Sequence, residues 1–105
     1  MIRHCVFVNF DDGVTAARRQ EVFGAIEALQ SHLPGILAVH IGDNVSPEEG
    51  MDKRFSHGFV VDFENAAARD AYLADPEHAK SGAQLVAAAR GGVDGIFVYD
   101  IEIPG

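Results

Sequence analysis

The residues best suited to chemistry lie in one short segment, AYLADPEHAK, over residues 71–80. The hydroxyl of Tyr72 can donate a hydrogen bond to a developing negative charge, and His78 can take up a proton near neutral pH. Asp75 followed by Pro76 is a typical helix start, so we expect His78 in the first turn of a new helix. The simpler interpretation is an ordinary junction between two helices that carries a solvent-exposed histidine.

Two further histidines, His4 and His57, fall within apolar stretches that alternate as β-strands do. A single histidine on an apolar face is usually a hydrogen-bonded core residue rather than a catalyst. Two such rings indicate a functional site more strongly than one does, because burying a polar ring without a partner costs free energy. We therefore predict a pocket that His4 and His57 share, with Tyr72 and His78 as their partners from the helices.

The charge state of His78 can also be predicted. The positive end of the helix dipole and partial burial both disfavour an imidazolium ion, whereas Asp75 and Glu77 favour it. Acidic side chains at a helix start tend to turn toward free backbone N–H groups, so we expect the first two effects to dominate. His78 is then neutral near pH 7 and is expected to face His57 across the pocket.

Metal and cofactor sites have little support in the sequence. The five histidines are scattered, and the chain has one cysteine, so we expect no metal ligand set and no metal requirement for folding. No glycine-rich phosphate loop opens a helix, so no cofactor is expected. The sequence leaves room only for a weakly held cation at the backbone carbonyls of Leu33–Ile36.

The composition limits the partners. The net charge is −8, which repels phosphate backbones, so we expect no nucleic-acid partner. No apolar run approaches the ~20 residues that a membrane span needs, so no membrane partner is expected. With one cysteine and no export signal the chain is predicted to be cytoplasmic, with Cys5 a small buried apolar residue rather than a reactive thiol. Its length of 105 residues suits one domain over 1–105.

The elements that must position these residues can be derived from the apolar periodicity. The predicted order is a strand over IRHCVFVNF, a helix from a Thr15 cap to about Leu33, a strand over ILAVHIGDNV, a strand over FSHGFVVDF, a short helix from an Asn65 cap to about Ala74, a helix from Pro76 to about Arg90, and a strand over IFVYDIEI. This is the α+β, ferredoxin-like β-α-β-β-α(α)-β order, a four-stranded antiparallel sheet with helices on one face. The polar segment from Ser46 to Arg54 is predicted to be mobile.

The order has two consequences. The first and third strands become neighbours at the centre of the sheet, so we expect His4 and His57 to be close. The first strand is also apolar on both faces, and the helices cover only one. A second copy is the simplest cover for the other face, so we predict a homodimer that forms a dimeric α+β barrel. The residues expected in that interface are Cys5, Phe7, Phe97, Tyr99 and Ile101.

Four segments together resemble the stress-responsive A/B barrel family: IRHCVFVNF, LPGILAVHIGDNVSPE, FSHGFVVDF and AYLADPEHAK. The family includes plant polyketide cyclases that act by intramolecular aldol condensation without metal or cofactor. The resemblance implies that Tyr72 and His78 are the catalytic residues. It implies substrate-binding positions at His4, His57, Phe23 and Ile26, with Phe59 beside His57 on the same strand face. Ile26 stands where the plant enzyme has a tyrosine, so this pocket is more apolar.

Two functions remain open at this stage. In the first, the chain is a cofactor-independent lyase or cyclase for a small carbonyl or polyketide-like compound, with His78 as general base and Tyr72 stabilising the enolate oxygen. In the second, it is a non-catalytic dimer that binds a small apolar ligand or contributes to stress tolerance. A solvent-connected cavity of about 300 Å³ or more at the cluster distinguishes them.

Overall fold

Strands and helices form where the apolar spacing predicts them. The computed structural model describes residues 1–104, with elements in the order β1 (Ile2–Val8), α1 (Ala16–His32), β2 (Ile36–Asp43), β3 (His57–Phe63), α2 (Ala66–Ala74), α3 (Pro76–Ala88), a short 3₁₀ turn (Gly92–Gly95) and β4 (Ile96–Glu102). Helix α3 ends two residues before the predicted Arg90, because Ala89 is extended and bridges to Phe10.

The strands form one antiparallel sheet in the order β2-β3-β1-β4. This confirms the predicted ferredoxin-like topology, with β1 and β3 adjacent at the centre. His4 pairs with Val61, however, and His57 pairs with Val8. The two histidines are thus four residues apart along β1, about 13 Å at ~3.3 Å per residue. The prediction that they lie close together is wrong, because strand adjacency without register does not bring two side chains together.

Each helix begins at the predicted N-cap. The side chain of Thr15 accepts a hydrogen bond from the backbone N–H of Arg18, which starts α1. Asn65 caps α2 in the same way. Oδ1 of Asp75 accepts from the backbone N–H groups of Glu77 at 2.8 Å and His78 at 3.3 Å. Each cap satisfies donors that the first helical turn leaves free, which is worth about 1 kcal/mol per helix.

One glycine sets the position of α2. Pro34 and Gly35 end α1 as predicted, and Gly35 has a φ of +88°. A Cβ atom at this residue would lie 2.6 Å from the Cβ of Ala68 in α2. Only glycine therefore allows the turn after α1 to pack closely against α2, the helix that carries Tyr72.

The core lies between the helices and one sheet face. Helix α1 buries a stripe at helical spacing, and both β1 and β3 contribute alternate residues. The core consists of Ile2, Val6, Val8, Phe10, Val22, Phe23, Ile26, Leu29, Phe59, Val61, Phe63, Tyr72, Leu85, Ala88 and Ala89. Burying one large apolar side chain contributes about 1.5–3 kcal/mol, so this layer holds the helices on the sheet.

The opposite sheet face, called the open face below, carries no helix. Its register-paired residues are Arg3, Cys5, Phe7, Val60, Asp62, Phe97, Tyr99 and Ile101. Phe7, Phe97 and Tyr99 are 38%, 47% and 56% exposed, whereas Cys5 is buried as predicted. Phe55 also turns to this side, with its ring centroid 6.0 Å from that of Phe97.

Within residues 1–104, no helix has both the length and the apolar character needed to cross a membrane.

Candidate functional site

Tyr72 is the centre of the candidate site. It lies on the face of α2 that packs on the sheet, and it is 1% exposed. Its ring contacts three other rings, with centroid distances of 5.0 Å to Phe63, 5.9 Å to His4 and 4.2 Å to His78. Its hydroxyl is buried and has no hydrogen-bond partner among the described residues 1–104. A buried hydroxyl without a partner costs free energy, so such a group is rare in a native structure and requires an explanation.

His78 lies beside Tyr72 because of the break between α2 and α3. Asp75 ends α2 and caps α3, and Pro76 occupies the first position of the new helix. The third helical residue, His78, is thereby directed toward the Tyr72 ring. Oδ2 of Asp75 lies 3.2 Å from Nε2 of His32, which ties this junction to the end of α1.

The environment of His78 favours its neutral form. Burial lowers the pKa of the imidazole below 6.5, and the electrostatic interaction with His4 lowers it further. A hydrogen bond to the backbone of Leu73 and the charge of Asp75 act in the opposite direction and do not reverse the shift. Burial likewise raises the pKa of the Tyr72 hydroxyl, which keeps it protonated. The site therefore places a neutral base next to a protonated hydroxyl.

His4 is held from the side of the sheet. Its Nδ1 lies 2.6 Å from Oδ1 of Asp100, its neighbour on β4. A carboxylate only accepts, so Nδ1–H of His4 donates to Asp100. Oδ2 of Asp100 accepts from Arg69 at 3.0 Å. Burial alone would raise the pKa of Asp100, but the hydrogen bonds and charges of His4 and Arg69 outweigh it and lower the pKa.

His57 does not belong to this cluster. Its Nδ1 lies 2.7 Å from Oδ1 of Asp43, and its ring lies 5.6 Å from that of Phe10, at the far end of the β1–β3 pair from His4. The prediction that His78 faces His57 across a pocket is therefore wrong: His78 faces Tyr72 and His4. The physical reason is again the register, which sets where along β1 each β3 side chain lies.

The three apolar positions implied by the resemblance are core residues. Phe23, Ile26 and Phe59 are all buried. The ring of Phe23 packs edge-on against Phe59 at 5.8 Å and against Phe10 at 5.5 Å. They belong to the same hydrophobic core as Tyr72.

A pocket of about 720 Å³ lies elsewhere, between the open face and the segment that joins β2 to β3. Its lining includes Phe7, Phe97, Phe55 and His57, but neither Tyr72 nor His78. A second concavity of about 530 Å³ lies between α1 and α3 and also lacks both residues. Among residues 1–104, no group of three or more His, Cys, Asp or Glu side chains is arranged to hold a metal ion.

Comparison with known proteins identifies the relatives of this architecture. The family model described as the stress responsive A/B barrel domain matches residues 2–103. The chain belongs to this family. It is 25% identical to olivetolic acid cyclase of Cannabis sativa over 81 residues, which cover 77% of this chain and 79% of that protein.

Two solved structures show the fold of these relatives. The first is a dimeric ferredoxin-like protein of unknown function from Jannaschia sp. CCS1. It is 33% identical, with a TM-score of 0.88 and coverage of 97% of this chain and 98% of that chain. The second is the hydroxynitrile lyase of Passiflora edulis, 18% identical, with a TM-score of 0.84 and coverage of 98% and 93%. At that identity the likeness to the lyase shows the fold alone.

Sequence reasoning missed Asp100, Arg69 and Phe63 as members of the site. Asp100 had a detectable signal, since it is a charge inside the otherwise apolar strand IFVYDIEI. Such a charge on the covered side of a sheet requires a partner. Arg69 had no comparable signal, because a charged residue on a short, largely exposed, alanine-rich helix is ordinary.

Proposed function

We propose that this stress-responsive A/B barrel protein is a cofactor-independent lyase or cyclase that acts on a small carbonyl or polyketide-like compound. The observation that carries the proposal is the buried, unpartnered hydroxyl of Tyr72 next to a neutral His78. Its relatedness to olivetolic acid cyclase supports the same class of chemistry. The residues of the reaction are Tyr72 and His78, and no metal or cofactor takes part.

The proposed first step is the removal of a proton from the carbon next to a carbonyl. The neutral imidazole of His78 accepts that proton, and the electron pair moves onto the carbonyl oxygen, which becomes an enolate. Tyr72 donates its hydroxyl hydrogen to this oxygen and so gains the partner that it lacks in the free protein. Because the donor is desolvated, its bond to a developing anion is stronger than it would be in water.

The second step divides the two reaction types. In a cyclase, the enolate carbon attacks a second carbonyl of the same molecule, and a new carbon–carbon bond forms. The proton held on His78 then passes to the new alkoxide, which restores the neutral base. In a lyase the steps run in reverse. His78 takes the proton of a β-hydroxyl group, the carbon–carbon bond breaks to leave a carbonyl compound and an enolate, and the proton on His78 then passes to the enolate carbon. His4 orders Tyr72 from the side of the sheet, and the ring of Phe63 packs against Tyr72 as an apolar wall.

Proton abstraction can be measured before the natural substrate is identified. The wild-type protein is incubated in D₂O with small ketones and β-diketones, and exchange next to the carbonyl is followed by proton NMR. We expect catalysed exchange that falls about 100-fold or more in His78→Gln and in Tyr72→Phe. Tyr99→Phe and His40→Gln are matched controls, because both residues are more than half exposed and lie on the open face, away from Tyr72. Equal rates in the wild type and His78→Gln would exclude the proposed base.

A non-catalytic, ligand-binding dimer is the second candidate. It is favoured because the cluster around Tyr72 is buried: Tyr72 is 1% exposed and lines neither described pocket. In that case the pocket of about 720 Å³ takes the ligand, its volume being typical of small-molecule sites. Saturable binding without catalysed exchange, insensitive to Tyr72→Phe, would support this function over the first.

We also infer that the chain acts as one domain over 1–105 and assembles as a homodimer through the open face. The exposed aromatic residues of that face motivate the inference. The Jannaschia relative, which is described as dimeric, supports it.

A further inference from the structure

Arg69 makes a contact that the proposed reaction does not use directly. It lies three residues before Tyr72 on α2, so the two side chains leave the same side of the helix. Its guanidinium Nη1 lies 3.0 Å from Oδ2 of Asp100, and the other carboxylate oxygen lies 2.6 Å from Nδ1 of His4. A continuous hydrogen-bonded chain thus leads from Arg69 to the imidazole that packs edge-on against Tyr72.

Asp100 needs a second partner because of its place in the sheet. Strand β4 is an edge strand, and the Asp100 side chain is 25% exposed. Without Arg69, water competes for the carboxylate, and the side chain is free to rotate away from His4. The His4 side chain is only 6% exposed, so it cannot replace a lost partner with bulk solvent. Arg69 blocks that movement by holding the outer oxygen.

We propose that Arg69 is a positioning residue: acting through Asp100, it holds the imidazole of His4 in the tautomer and orientation that pack against Tyr72. The inference rests on the proposed function, since positioning matters only if Tyr72 and His78 meet a substrate. It adds to that function a structural cause: the ion pair between α2 and the edge strand β4 keeps the site ordered.

Charged and titratable groups from four elements surround the Arg69–Asp100–His4 chain. They are Asp100 on β4, His4 and Cys5 on β1, Arg69, Asp70 and Tyr72 on α2, and His78 on α3. Arg69 also touches Asp70 at 3.1 Å, but both residues of that contact lie on one helix, so it cannot order His4. The contact with Asp100 is the one that joins the helix to the sheet.

The test follows the Nδ1 proton of His4 by NMR without any substrate. We expect its exchange with water to quicken about fivefold in Arg69→Gln, as suits the loss of a partly exposed ion pair. Arg69→Lys keeps the charge but lacks the planar guanidinium group, and it should restore part of the protection of the His4 proton from exchange. Arg18→Gln is the matched control, because Arg18 is an exposed arginine paired with Glu21 within α1. An unchanged exchange rate of the His4 Nδ1 proton in Arg69→Gln, or an equal increase of that rate in Arg18→Gln, would overturn the inference.

The exchange of ketone protons separates this inference from the proposed function. If the wild type catalyses exchange, Arg69→Gln should lower the rate and Arg69→Lys should recover part of it. An active Arg69→Gln protein with the wild-type rate would overturn the positioning role even if His4 had become mobile. An inactive wild type would overturn the proposed function, and the His4 resonance would still decide whether Arg69 orders that ring.

Discussion

At the scale of single residues, the free hydroxyl of Tyr72 distinguishes this site from ordinary core. The ring is packed as tightly as its neighbours, yet the polar atom is left without a partner. A phenylalanine would fill the same space without that cost. The presence of tyrosine is therefore better explained by a substrate that supplies the missing acceptor than by stability.

This explanation predicts that Tyr72→Phe does not destabilise the protein. Because the hydroxyl pays for desolvation without a hydrogen bond, its removal should raise the free energy of unfolding by about 1 kcal/mol. Urea denaturation of the wild type and Tyr72→Phe measures the difference, with Tyr99→Phe as a control for the loss of a tyrosine hydroxyl on the open face. A loss of stability in Tyr72→Phe alone would show that the hydroxyl is hydrogen-bonded in the folded protein.

The lowered pKa of His78 gives a second prediction, on the dependence of stability on pH. Below 6.5 the unfolded chain takes up a proton that the folded chain resists. The contribution of His78 to stability is therefore fully present above pH 6.5, the unfolded pKa. It is lost as the pH falls toward the pKa of His78 in the folded protein, which is lower. We expect the wild type to lose more stability than His78→Gln between about pH 7.5 and about pH 5. If the difference in stability between the wild type and His78→Gln stays constant over this pH range, the lowered pKa of His78 is contradicted.

At the scale of elements, the sequence predicts what depends on neighbouring residues. Each N-cap is read from one residue and the turn that follows, and Thr15, Asn65 and Asp75 all cap as predicted. The partner of a strand residue depends instead on register, which is set by contacts distant in sequence. For that reason the predicted proximity of His4 and His57 is wrong, and the sequence does not reveal the pairing of His4 with Asp100, 96 residues apart.

The break between α2 and α3 can be tested through its cap. Asp75→Ala should cost about 1 kcal/mol of stability, because the backbone N–H groups of Glu77 and His78 lose their acceptor. It should also let the His78 ring move away from Tyr72, which an NMR titration of the ring detects as a return toward 6.5. Thr15→Ala removes the cap of α1 at a similar cost and should leave His78 unchanged. Equal effects of both variants on His78 would show that general destabilisation is the cause.

The polar segment from Ser46 to Arg54 stays a prediction. Its side chains are exposed throughout, and it holds few hydrogen bonds beyond local ones. We expect its backbone amides to exchange with deuterium far faster than those of β1. Protection equal to that of the central strands would mean that a contact across the pocket of about 720 Å³, or with a second copy, orders this segment.

At the scale of the whole molecule, the open face is the main unsatisfied feature. Phe7, Phe97 and Tyr99 form a row of exposed aromatic rings on a sheet face, with stacked centroids 6.3 Å and 6.4 Å apart. A patch of this kind is typical of a protein interface. Within residues 1–104 no element is left to cover it, which is why the two apolar faces of β1 predict a second copy.

The dimer is tested on two neighbouring residues of β4. Phe97→Asp places a charge on the open face and should give a monomer by light scattering at micromolar concentration. Val98→Asp places the same charge on the opposite side of the same strand, where Val98 is 55% exposed, and should leave the dimer intact. A wild-type protein that is monomeric at this concentration would refute the assembly.

The central claim is that Tyr72 and His78 meet a carbonyl compound, and a crystal structure with a small β-diketone tests it most directly. We expect one carbonyl oxygen of the diketone within ~2.6–3.2 Å of the Tyr72 hydroxyl, with the carbon between the carbonyls facing the His78 ring. Tyr72→Phe crystals soaked under the same conditions should lose the diketone from this position. Density for the diketone only in the pocket lined by Phe7, Phe97 and His57, with Tyr72 still unpartnered, would contradict the account.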